Sequence, residues 1–265
     1  MPTVAFSTLG CRLNQAESDS MAEQLAADGL VSADPGTSPD VVVINTCTVT
    51  REATKGSRMA IRRAVRDHPD AKIVVVGCYA VSDPDEVAAI EGVDVIAGND
   101  AKDRIAETFA SSPATAPLLQ IGLPISRSAE PFQSLRPIPA AVARVRANLK
   151  VQTGCDEFCT FCIIPTTRGP LRSMDADSLV AEATMRVAAG AKELVLTGVH
   201  LGKFGYDQGG NEKDLIALWD RLLNIPGVLR LRLSSILSQH LTGDVLSYMG
   251  AEPRICRYLH VPLQS

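Results

Sequence analysis

Lys72-Ile-Val-Val-Val-Gly77-Cys78 and Val41-Val-Val-Ile-Asn45-Thr46-Cys47 are short apolar runs, each leading into a cysteine. A third run, Val4 to Thr8, leads into Leu9-Gly10-Cys11, and a fourth covers Val93 to Ala97. Between them lie helical patterns: Asn14 to Asp28, a basic stretch from Glu52 to Arg66, and a segment opened by Ser82-Asp83-Pro84, whose cap and proline suit a helix start. Alternation of this kind predicts parallel strands joined by crossover helices, a doubly wound α/β parallel-sheet domain over residues 1–112.

From Ser111 the periodicity fades, and Pro113, Pro117, Pro124, Pro131, Pro137 and Pro139 punctuate a stretch with few charges, so 113–140 reads as an interdomain linker. Over 141–265 the alternation resumes. Strands are predicted at Val145 to Gln152, Glu193 to Thr197, Leu229 to Leu233 and Arg257 to Val261, with helices at Asp177 to Ala189, Leu215 to Leu223 and Leu241 to Tyr248. These are successive β/α units of a barrel-like sheet, too few to close it. The chain stops at Ser265, straight after a predicted strand. The expectation is an incomplete (β/α) partial barrel whose gene continues.

A chain of 265 residues, 46% of them apolar, can bury a core, which argues against disorder and fibre. No basic n-region opens the chain and no uncharged run reaches membrane-spanning length, so no membrane association and a cytoplasmic location are expected. The net charge of -4 gives no overall basic field, so a nucleic-acid partner must be held by a local patch or by a segment not present here. Seven cysteines without a secretion signal favour metal ligation or redox chemistry over a disulfide framework.

Gly154-Cys155-Asp-Glu-Phe158-Cys159-Thr-Phe161-Cys162 holds a tight C-x3-C-x2-C trio in the loop after the first strand of the second domain. Three thiolates can hold three irons of a 4Fe-4S cluster and leave the fourth iron open. Structural zinc is disfavoured, because it takes four protein ligands and no fourth Cys or His stands at the usual spacing. The stretch resembles radical S-adenosylmethionine enzymes, in which the cofactor's amino and carboxylate groups chelate the open iron and one electron cleaves the sulfonium. That resemblance implies S-adenosyl-L-methionine as cofactor here.

Cys11, Cys47 and Cys78 each follow a predicted strand. In a parallel sheet these strand ends share one edge, where ligands of open α/β folds bind, so three thiols distant in sequence can converge on a second 4Fe-4S cluster. Buried packing cysteines are the other reading, but three at one topological place favour a site. Cys256, at the start of the last predicted strand, is read as packing.

Ser7-Thr-Leu-Gly-Cys11-Arg-Leu-Asn-Gln15, Asn45-Thr-Cys47-Thr-Val-Thr50, Gly77-Cys78, Ile163-Ile-Pro-Thr-Thr-Arg168-Gly-Pro-Leu-Arg172-Ser173, Leu194-Val-Leu-Thr-Gly-Val-His200, Arg232-Leu-Ser-Ser235 and His260-Val-Pro-Leu-Gln-Ser265 together resemble the methylthiotransferase family across nearly the whole chain. Gly-Cys-Arg-Leu-Asn at 10 to 14 and Thr-Gly-Val-His at 197 to 200 look most like the members that act on threonylcarbamoyladenosine in tRNA. Action on isopentenyladenosine or on a ribosomal protein is the alternative within the family, although such relatives read differently after the first cysteine. The resemblance implies conversion of that nucleoside, beside the anticodon, to its 2-methylthio derivative. It also implies two 4Fe-4S clusters, tRNA as substrate, an electron donor such as a flavodoxin or ferredoxin, and further barrel strands and an RNA-binding domain after Ser265. A non-catalytic iron-sulfur or RNA-binding piece is the alternative of a different class.

Thr197, Gly198 and Ser234, at strand ends, are candidate cofactor contacts, with ordinary turn chemistry as the other reading. Lys55, Arg58 and Arg62 lie on a helical stripe with Arg51 and Arg66 that could neutralise tRNA phosphates. A solvated helix face is the rival.

Overall fold

The computed structural model describes residues 1–34, 36–105, 119–121 (backbone only) and 144–263. The described residues group into two compact units: Met1–Ala129 with Glu157–Gly169, and Glu130–Asp156 with Pro170–Ser265.

In the first unit, strands β1 (Thr3–Thr8), β2 (Val31–Ser32), β3 (Val41–Thr46), β4 (Lys72–Gly77), β5 (Val95–Ala97) and β6 (Leu119–Ile121) form one sheet in the order β2-β1-β3-β4-β5-β6. Every pairing is parallel. Helices α1 (Arg12–Ala27), α2 (Arg51–Asp67), α3 (Cys78–Ser82) and α4 (Pro84–Ala88) cover both faces. On one face Val42, Ile44, Ile73, Val75 and Ile96 pack with Ile61 and Ala64 of α2, Tyr79 of α3 and Val87 of α4. On the other, Val41, Val43, Val74, Val76 and Val95 pack with Met21 and Leu25 of α1. Burial on both faces is why β3 and β4 read as unbroken Val/Ile runs instead of alternating ones.

The chain winds outward from β1 to β2, then returns to β3, so the strand order reverses between β1 and β3. Connections leaving that point cross to opposite faces and open a crevice at the carboxyl edge, the usual ligand site of such sheets.

In the second unit, β7 (Arg146–Lys150), β10 (Glu193–Thr197) and β11 (Arg230–Leu233) form a parallel sheet in the order β11-β10-β7. Leu149, Leu194, Leu196, Leu231 and Leu233 meet helices α6 (Ala176–Ala188) and α7 (Glu212–Leu223), with Trp219 of α7 wholly buried among them. A last helix, α8, spans Gly243–Ala251. Local signals set these helices: Asp175 accepts from the Ser178 N–H at the start of α6, and Asn211 with Asp214 forms a reciprocal capping box at α7.

Four sequence expectations change. The strand expected at Val145 to Gln152 ends at Lys150, and Gln152–Thr153 (β8) pairs antiparallel with Arg172–Ser173 (β9), so a two-rung clasp brackets the tight-cysteine loop. The strand expected at Arg257 to Val261 does not form. Ile255 makes one parallel bridge to Leu231, and the Tyr258 N–H then donates to Cys256 O at 2.7 Å, closing a turn where the ladder would continue. Three residues of the expected linker, Leu119–Ile121, extend the first sheet, and most of the rest lies outside the described residues. Finally, Glu157–Gly169, expected in the second domain, groups with the first unit, through contacts that centre on helix α5 (Ile164–Arg168).

Candidate metal centre

The three dispersed cysteines leave adjacent strands at one level. Thr8 pairs with Asn45, and Thr46 with Gly77, so the ends of β1, β3 and β4 are in register. Cys11 is the residue before α1 and is exposed, whereas Cys47 directly after β3 and Cys78 opening α3 are buried. Cys11 and Cys47 flank the point where strand order reverses. Burial pushes the Cys47 thiol up, the nearby Cys78 and Cys11 thiols add to this, and the Val49 N–H works against it. Sulfurs near enough to disfavour the Cys47 thiolate are what a cation-rich cluster would relieve.

The backbone around these thiols is tightly held. Gly10 has φ of 91°, and a Cβ there would stand 2.6 Å from Cys47 Cβ and 2.7 Å from its Sγ, so only glycine lets the first loop approach the second thiol. Ser57 Oγ of α2 accepts from the Cys47 N–H at 3.0 Å and donates to Cys47 O at 2.7 Å. Asn14 Nδ2 donates to Leu9 O at 2.8 Å and Thr46 O at 2.9 Å, joining the loops that carry Cys11 and Cys47. Asn99 Nδ2 lies 3.7 Å from Cys78 Sγ and donates to Thr167 O at 2.6 Å.

Of the tight trio, Cys159 is exposed and Cys162 half-buried, with the Cys162 N–H donating to Cys159 O at 3.0 Å. Cys155 is buried in the second unit, where His200 Nδ1 stands 3.7 Å from its Sγ. His200 Nε2 is 3.0 Å from His240 Nε2, and the His200 N–H donates to Gln152 Oε1 at 2.8 Å. Among the described residues, Cys155, Asp156 and His200 are the one group whose ligand atoms all lie within 4.8 Å, but Asp156 already pairs with Lys203 at 2.9 Å.

The remaining candidates divide. Thr197 Oγ1 is buried and donates to Leu149 O at 3.1 Å, a strand-to-strand role. Gly198 sits against Gln152, whose Oε1 would lie 2.9 Å from an added Cβ, which accounts for the glycine without a ligand. Ser234 Oγ is buried with no hydrogen-bond partner among the described residues, as a group awaiting a ligand would be. On α2, Lys55 and Arg62 are exposed, whereas Arg58 is half-buried and pairs with Glu86 at 3.2 Å.

A family profile described as "Uncharacterized protein family UPF0004" matches residues 3–98, the stretch that holds Cys11, Cys47 and Cys78. Over its whole length the chain is 40% identical to a threonylcarbamoyladenosine tRNA methylthiotransferase MtaB of Bacillus subtilis, covering 58% of that protein. It is 36% identical over 99% of its length to the Aquifex aeolicus protein of the same name, covering 63% of it. Along its whole length the chain is thus similar to tRNA methylthiotransferases.

It is also 32% identical to a tRNA-2-methylthio-N(6)-dimethylallyladenosine synthase of Sorangium cellulosum, covering 57% of that protein. The chain thus spans about three-fifths of the relatives it matches. The radical S-adenosylmethionine methyltransferase TsrM of Kitasatospora setae, solved with cobalamin and a [4Fe-4S] cluster bound, shares the fold. Its TM-score is 0.60 at 17% identity, over 99% of this chain and 61% of that one. For the methylthiotransferase reading, the residues that sequence reasoning missed are Asn14, Ser57, Asn99 and His200, which hold or touch the cysteines. Asn14 and His200 stood in the motifs quoted for the resemblance, but nothing in their spacing disclosed their partners.

Proposed function

We propose that the full-length protein is a tRNA methylthiotransferase that converts threonylcarbamoyladenosine to its 2-methylthio derivative. One 4Fe-4S cluster would be held by Cys11, Cys47 and Cys78 and another by Cys155, Cys159 and Cys162. The observation that carries this reading is the convergence of three cysteines at level strand ends on the crevice edge of the first sheet. An all-thiol donor set with one sulfur per loop suits a cuboidal cluster better than a single ion, whose ligands must crowd closer. When bound, the clusters and S-adenosyl-L-methionine supply electron transfer, radical formation and the sulfur to be transferred.

The chain's own part is placement. Gly10, Asn14 and Ser57 fix the loops that present the first three thiols. The clasp of Gln152–Thr153 on Arg172–Ser173 fixes both ends of the second cysteine loop, and Ser234 Oγ offers a buried hydroxyl for the cofactor. Higher identity to the relatives named for threonylcarbamoyladenosine than to the dimethylallyladenosine synthases supports the substrate. No helix among the described residues is long and apolar enough to cross a membrane, and a tRNA substrate fits a cytoplasmic location with an electron donor such as a flavodoxin or ferredoxin.

Iron and acid-labile sulfide counted after anaerobic reconstitution of the full-length protein test the two-cluster reading. The C155A/C159A/C162A and C11A/C47A/C78A variants are each expected to keep about half the parent's iron, one cube of two. Unchanged iron in either variant removes that trio from the proposal. Cleavage of S-adenosyl-L-methionine should vanish only in the first.

Lys55 and Arg62, exposed on α2 just after the Cys47 loop, are proposed to meet tRNA phosphates. Each lost phosphate contact lowers the salt slope of binding by about 0.7 to 0.9, so K55E/R62E in the full-length protein should weaken tRNA binding and flatten that slope. A slope equal to the parent's makes the stripe a solvated face.

A further inference from the structure

Beneath the first cysteine site lies an ionic group that the proposed chemistry does not use. Glu17, Lys102 and Arg168 have side chains 2%, 1% and 1% exposed. Arg168 grips Glu17 in a fork, Nη1 to Oε1 at 2.7 Å and Nη2 to Oε2 at 3.0 Å, and Lys102 Nζ stands 2.7 Å from Glu17 Oε2. Two buried cations therefore share one carboxylate. Arg168 Nη2 also donates to Asn14 Oδ1 at 2.6 Å.

Burying this much charge is expensive, and replacing such a group by apolar side chains is often neutral or stabilising, so stability alone gives no reason for it. Its connections give one. Asn14, fixed by Arg168, is the side chain that donates to Leu9 O and Thr46 O, in the loops of Cys11 and Cys47. One residue before Arg168, Thr167 O accepts from Asn99, whose amide reaches Cys78 Sγ. The Cys11 and Cys47 loops thus lead back to the guanidinium through Asn14, and Cys78 leads to the backbone one residue before it. Burial opposes the Arg168 charge, but Glu17 and the Cys78 and Cys11 thiols more than restore it, so the guanidinium stays cationic beside the thiols.

We propose that Arg168 is a positioning residue for the cluster on Cys11, Cys47 and Cys78, holding the first two loops through Asn14 and setting a positive charge beside the thiolates. This rests on the two-cluster reading above. Hydrogen bonds and net charge around a cluster tune its reduction potential, and partners behind the ligands commonly matter to metal affinity by about 10- to 100-fold.

The test uses the full-length protein in the C155A/C159A/C162A background, where all remaining iron reports on the first trio. Arg168→Lys keeps the charge and loses the fork. Arg168→Met with Glu17→Gln removes the charged fork without stranding a bare carboxylate. Iron loss to a chelator is expected to quicken about tenfold in R168K and by up to about a hundredfold in the double variant. The reduced cluster's EPR signal and midpoint potential should differ from the background in both, which a merely structural role would not produce. Parent-like chelation rates, EPR and potential in R168K overturn the proposal, even if the double variant fails to fold. A background protein that holds no iron overturns the two-cluster reading instead.

Discussion

Replacing Glu17 with Ala is expected to destabilise the first unit by about 3–5 kcal/mol, the usual cost of removing one partner from a buried ion pair. The magnitude follows from what stays behind. Arg168 and Lys102 are both nearly inaccessible to water, and Glu17 is the carboxylate bound to both. With whole domains stable by only about 5–15 kcal/mol, such a loss should lower the urea midpoint strongly. Glu17→Gln should cost less, because its amide oxygen can still accept from one of the cations.

The pH dependence of the E17A deficit has a definite sign. Burial already pulls Lys102 below its ordinary value of 10.5, and Glu17 opposes that pull. Without Glu17 the folded protein releases the Lys102 proton more readily than the unfolded chain does. Stability therefore rises with pH up to the unfolded value, and the gap between E17A and parent should narrow as pH approaches 10.5. An E17A midpoint equal to the parent's at neutral pH would mean that the ion group is not formed.

The parallel sheet was legible because β3 and β4, buried on both faces, are runs of Val and Ile that suit no exposed element, and Cys47 and Cys78 drew notice because each directly follows one of those runs. Two other features were not. Val31–Ser32 and Leu119–Ile121 are edge strands too short to carry a period, recruited by pairing with a formed neighbour. The Arg168 group joins residues more than 150 positions apart, and a Glu on α1 or a Lys in the turn after β5 reads in isolation as a solvated charge. In the second unit the expected last strand failed for a local reason, a turn closed by Tyr258 on Cys256 that an apolar pattern does not record.

Gly77→Ala should be the most damaging substitution that adds only a methyl group to the first cysteine site. The residue has φ of 104° and ψ of -168°, and a Cβ would stand 2.5 Å from Thr46 O and 2.8 Å from Thr46 N. Both atoms belong to the backbone of β3, paired on each side within the sheet, so neither can yield without breaking the ladder. This positive-φ, extended-ψ backbone is essentially glycine's own and costs an L-residue about 1–3 kcal/mol, and the forced overlap adds about 1–3 kcal/mol. Gly29 is the control for overlap, for it also has a positive φ, 89°, but nothing within 4 Å of the added carbon, so Gly29→Ala should carry a backbone cost alone. Because Gly77 immediately precedes Cys78, the strain should also displace that thiol from the other two. In the full-length protein, G77A is then expected to lose the iron that survives C155A/C159A/C162A, while G29A keeps it. Equal unfolding midpoints for the two variants would mean that β3 gives way to the methyl group, and that the close packing of β3 and β4 does not govern where Cys78 sits.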